Sequence, residues 1–127
     1  MRNKRGWGLL ASLVMLGACA MPDGGEVLDR LELTQSQRMV ADALVEGMAK
    51  DAAFGILRKR EYLLAGCYAT KVSIPPAHER AHLAYLANFQ EADDDYYGFF
   101  ARYGLDQQEA FSMFERYDIA MTACGNG

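Results

Sequence analysis

Thr34-Gln35-Ser36-Gln37-Arg38-Met39-Val40-Ala41-Asp42-Ala43-Leu44-Val45-Glu46-Gly47-Met48 is the stretch that decides the fold. Thr34 is followed three residues later by Gln37, the spacing of a capping box, in which two side chains satisfy backbone N–H groups that a helix start leaves open. Met39, Val40, Ala43, Leu44 and Met48 then recur at helical spacing. The pattern predicts an amphipathic helix over 35–53, weakened slightly by Gly47.

Towards the C-terminus, Ile56, Leu57, Tyr62, Leu63, Leu64, Cys67 and Tyr68 predict a second helix after Gly55, with Arg58-Lys59-Arg60 facing water. A short strand over 62–69 is the competing reading of that apolar run. Lys71 to Ile74 reads as a loop, and Pro75 and Pro76 stop one helix and can start the next. A third helix is expected at about 77–90, with Ala81, Leu83, Leu86 and Phe89 near one side. Asp93-Asp94-Asp95 suits the start of a fourth, which carries Tyr96, Tyr97, Phe99, Phe100 and Tyr103 and ends at Gly104. Asp106 and Glu109 repeat the capping-box pattern before a last helix at about 107–122, which shows Ala110, Phe111, Phe114, Tyr117, Ile119 and Met121. The expectation is therefore an all-α domain over 34–127, a small bundle of about four to five short helices.

Composition agrees with one globular domain: 127 residues, 51% hydrophobic and 24% charged. Seventeen Asp and Glu against 13 Lys and Arg give a net charge of -4, which argues against nucleic acid as a partner. No Gly-rich phosphate loop, dinucleotide fingerprint or repeat is present.

Upstream of the helical region, Arg2, Lys4 and Arg5 precede an apolar run, Leu9 to Leu16, far shorter than the ~20 residues a spanning helix needs. The run ends Leu16-Gly17-Ala18-Cys19. This arrangement resembles the signal peptide and lipobox of bacterial lipoproteins across residues 1–19. The resemblance implies cleavage before Cys19, a diacylglyceryl group on its thiol and acylation of the new N-terminus by a palmitate-type chain. It also implies a cell-envelope location. Ala20, where an Asp commonly signals inner-membrane retention, points to the outer membrane, facing the periplasm. Residues 1–18 would then be signal peptide and 19–33 a lipidated Cys with a flexible tether, which Met21-Pro22-Asp23-Gly24-Gly25 suits. Removing 18 residues leaves 109, with 10 Lys and Arg against 17 Asp and Glu, a charge of -7. Anionic headgroups would repel such a domain, so the acyl chains would do the anchoring.

With Cys19 lipidated, Cys67 and Cys124 remain. In an oxidising compartment an even pair predicts one disulfide, closing a loop that the chain-entropy model values at roughly 4 kcal/mol.

His78-Glu79-Arg80-Ala81-His82 matches H-E-x-x-H and holds both histidines of the chain. On a helix this spacing puts two imidazoles on one face as zinc ligands, with the Glu as general base. The five residues resemble the zincin metallopeptidase motif, which implies zinc on His78 and His82 with Glu79 catalytic. Against it stand the charged Arg80, the prolines just upstream, and the absence of the extended pattern at Tyr85 and Asn88. A third ligand would have to come from Glu91, Asp94, Glu115 or Asp118. Asp93, Asp95 and Gly98 fit three positions of an EF-hand loop, but Tyr97 and Gly104 occupy ligand positions, so calcium is not expected. The tyrosines Tyr96, Tyr97 and Tyr103 are the candidate partner-binding face. The primary expectation is a non-enzymatic, lipid-anchored module that docks another envelope protein. The alternative is a small zinc-dependent hydrolase.

Overall fold

A computed structural model describes residues 24–125. Helices α1 (Gly24–Asp29), α2 (Gln35–Lys50) and α3 (Lys59–Lys71) are followed by a 3-10 turn at Pro76–His78. Then come α4 (Glu79–Ala87), α5 (Phe89–Ala92), a second 3-10 turn at Asp93–Asp95, α6 (Tyr96–Ala101) and α7 (Gln107–Gly125). No strand occurs among the described residues, so the fold is all-α and residues 62–69 lie within α3.

The capping box at Thr34 forms as the spacing predicts. Thr34 Oγ1 accepts the Gln37 N–H at 3.1 Å, and Gln37 Oε1 accepts the Thr34 N–H at 2.9 Å. A matching pair starts α7, where Asp106 Oδ1 accepts from Glu109 N at 2.8 Å and Glu109 Oε1 from Asp106 N at 3.0 Å.

Helix ends differ from expectation for local reasons. Helix α2 stops at Lys50 rather than 53, because Asp51 turns extended and its carboxylate accepts the Ala53 N–H at 3.0 Å. Gly55, at φ 64, completes the turn. Ile56 stands in this loop, 77% exposed, instead of opening the second helix. Helix α3 begins at Lys59, after Glu61 accepts the Arg58 N–H at 2.7 Å. The expected helix at 77–90 divides at Asn88, whose backbone leaves helical geometry. Its side chain donates to the Ala84 carbonyl at 3.0 Å and accepts from Lys50 Nζ at 2.7 Å. Helix α7 runs on to Gly125, beyond the expected 122.

The expected tether is also corrected. Within residues 24–33 the chain forms α1, buries Val27 and Leu28 and packs on α3. Asp29 pairs with Arg38 of α2. Residues 19–23, with Cys19 and the signal region, lie outside the described residues.

Helix α2 packs against α3 and α4, and α7 closes over α3 and α6. Leu44, Met48, Tyr68, Leu86, Phe100 and Met113 are the large side chains at the centre. Gly47 is buried, and a Cβ there would collide with the Leu86 carbonyl oxygen and approach the Phe89 ring to 2.8 Å. It lets α2 and α4 cross closely, so its use is packing rather than a weak point. Cys67 of α3 and Cys124 of α7 are disulfide-bonded, with Cα atoms 5.9 Å apart.

The buried side of α7 is carried by two alanines and a methionine. Ala110, Met113 and Ala120 are buried, whereas Phe111, Phe114 and Ile119 are exposed. Positions 110, 113, 117 and 120 recur at helical spacing and form one stripe, and the small alanines bring α7 close to its neighbours. No helix among the described residues is long and apolar enough to cross a membrane.

Candidate functional site

His82 lies on α4 with no exposed surface, and its Nε2 is 2.6 Å from the hydroxyl of Tyr68 on α3. Burial, reinforced by His78 and Arg116, lowers its pKa to about 4. It is therefore neutral at pH 7. We assign its proton to Nδ1, so that the Tyr68 hydroxyl donates to Nε2. Burial holds Tyr68 protonated by pushing its pKa up.

His78 ends the 3-10 turn and caps α4, with its Nε2 3.4 Å from Glu109 Oε2 on α7. Arg116 Nη1 donates to the Ser73 carbonyl at 3.1 Å. His78 Nδ1, His82 Nδ1 and Arg116 Nε are buried and hydrogen-bond to nothing among the described residues. The Tyr68–His82 pair ties α3 to α4 in the core, and His78–Glu109 and Arg116–Ser73 tie the 73–78 segment to α7 nearer the surface.

Both Nε2 atoms of the H-E-x-x-H stretch thus face partners within the domain, one of them deep in the core. Glu79, the candidate general base, is exposed at the first turn of α4. Among the described residues, no group of three or more His, Cys, Asp or Glu is gathered as a metal would need.

An aromatic cluster adjoins the Tyr68–His82 pair through Tyr117. The Tyr85 ring centroid lies 5.5 Å from Phe100, 5.7 Å from Tyr96 and 5.4 Å from Tyr117. Tyr85 donates to Asp93 Oδ1 at 3.1 Å, and Tyr96 to the Ala110 carbonyl at 2.7 Å. Burial, then the nearby Asp93, raises the pKa of both phenols. They act as donors at neutral pH, not as bases.

The three candidate partner-face tyrosines therefore sit in different surroundings. Tyr96 is half-buried, with its hydroxyl committed to α7. Tyr103 is half-buried beside Phe99, with the Arg80 guanidinium 5.3 Å from its ring centroid. Tyr97 is exposed. Two further exposed rings, Phe111 and Phe114, stand outside the candidate tyrosine face, because their spacing on α7 carries no local sign of which side is buried. The competing stripe runs through Ala110, Met113 and Ala120. Comparison with protein-family models, with curated proteins and with solved structures finds no match to this chain.

Proposed function

We propose that the chain is a lipid-anchored lipoprotein of the bacterial cell envelope, working as a non-enzymatic binding or assembly module for another envelope protein. The observation that carries this reading is Leu16-Gly17-Ala18-Cys19, placed behind a basic start and a short apolar run. In this reading Cys19 bears the lipid and Ala20 directs the protein to the outer membrane, facing the periplasm. The Cys67–Cys124 disulfide supports it, since such bonds persist in exported proteins. So does the use of the two histidines and the buried tyrosines in contacts within the domain.

Fractionation of cells that express the full chain tests the anchor. The chain should sediment with the outer membrane, and Cys19→Ser should release it or leave it unprocessed. Wild-type chain in the soluble periplasmic fraction would overturn the reading. The zinc-hydrolase alternative, with His78, His82 and Glu79, rests on the five-residue match. Stoichiometric zinc in residues 20–127, lost in His78→Ala/His82→Ala, would favour it over the binding module.

A further inference from the structure

The negative charge of the domain is unevenly placed. Residues 24–92 carry nine Asp and Glu against eight Lys and Arg, whereas residues 93–125 carry seven against two. Both arginines of the second segment are engaged: Arg116 with Ser73, and Arg102 with its guanidinium 5.0 Å from the Phe99 ring centroid.

The same segment presents aromatic rings to solvent. Tyr97, Phe111 and Phe114 are 43%, 50% and 45% exposed. Tyr96 lies between two of them, with its ring centroid 5.5 Å from Tyr97 and 6.2 Å from Phe114, and Phe111 stands one helical turn before Phe114. On α7, exposed Glu115 follows Phe111 by four residues and exposed Asp118 follows Phe114 by four. That spacing makes each carboxylate a surface neighbour of a ring. The fold does not need these rings inside, because Ala110, Met113 and Ala120 already supply the buried side of α7. Single exposed apolar residues are ordinary, but adjoining aromatic rings with a charged border have the composition of a protein interface.

Resting on the binding-module reading, we propose that this face docks a cationic amphipathic helix of a partner protein. The apolar stripe of that helix would cover Tyr97, Phe111 and Phe114, and its Lys or Arg side chains would meet Glu115 and Asp118. The charge favours this occupant. A second copy meeting it with the same face would oppose like charges, and an anionic lipid surface would be repelled.

The test uses the lipidated chain in zwitterionic nanodiscs, with empty nanodiscs as the blank. The probe is a dye-labelled leucine/lysine amphipathic peptide of roughly five helical turns, and its leucine/glutamate twin is the control. Fluorescence anisotropy should show saturable binding of the cationic peptide only. Phe111→Ser/Phe114→Ser and Glu115→Gln/Asp118→Gln should each weaken it about tenfold or more, with unchanged circular dichroism. Met39→Ser, an exposed apolar site on α2, should leave it unaltered. The inference is overturned by no binding, by equal binding of the acidic twin, or by full binding to the Phe variant. It is equally overturned if the Phe variant abolishes a dimer, or adsorption to phosphatidylglycerol vesicles, in place of peptide binding. Membrane fractionation reads the anchor separately. Loss of peptide binding in a membrane-held chain fails this inference alone, and a soluble chain that binds the peptide fails the anchor alone.

Discussion

Between pH 8 and pH 5, acid should destabilise this domain chiefly through His82. His82 has no exposed surface, accepts from Tyr68 at 2.6 Å, and has a pKa lowered to about 4. An unfolded chain restores a value near 6.5. The folded state therefore binds fewer protons than the unfolded state between these values. The stabilisation is full above about pH 6.5, falls as the pH drops, and is lost below about pH 4. The difference in pKa corresponds to roughly 3 kcal/mol in total, of which about 2 kcal/mol is gone by pH 5. Urea unfolding followed by far-ultraviolet circular dichroism at pH 8, 7, 6 and 5 measures it. The wild-type midpoint should hold between pH 8 and 7 and fall at pH 6 and again at pH 5, without a change in slope. His82→Gln cannot titrate and should lack about 2 kcal/mol of that decline, even though it starts less stable at pH 8. Parallel declines in the two proteins would refute the reasoning, because the proton uptake would then belong to other groups.

Three further outcomes are expected. Cys67→Ala/Cys124→Ala should lower stability by roughly 4 kcal/mol in urea unfolding, since the bond closes a 57-residue separation. Gly47→Ala, which would gain helix propensity on an open surface, should instead cost more than about 2 kcal/mol, because the added methyl meets the Leu86 carbonyl and the Phe89 ring. Thr34→Ala should cost about 1 kcal/mol through loss of the α2 cap, with hydrogen exchange faster at the first turn.

Local chemistry was the most legible part of the sequence. Thr34 with Gln37, and Asp106 with Glu109, mark helix starts through contacts spanning three residues, and each forms where the spacing places it. The cysteine count anticipated the disulfide. What depends on neighbours distant in sequence was not legible. Nothing local to Gly47 reveals that Leu86 crosses it. Val27 and Leu28 stand in a Gly-rich approach that resembles a tether, yet α3 gives them a surface to bury against. On α7 the sequence offers Phe111, Phe114 and Ile119 as readily as the smaller residues, whereas closeness of packing selects Ala110, Met113 and Ala120 for burial. The H-E-x-x-H stretch shows the same limit. Its spacing is local, but the partners of its rings, Tyr68 and Glu109, lie 14 and 31 residues away.

Lipid on Cys19 underlies the anchored-module reading, and the intact mass of the membrane-extracted chain reads it without intermediaries. The full sequence would be expressed in a bacterial host that processes lipoproteins. The expected species is a 109-residue chain that starts at Cys19 and carries a diacylglyceryl group and one further acyl chain. A chain that starts elsewhere, or a mass with no lipid on Cys19, would contradict it.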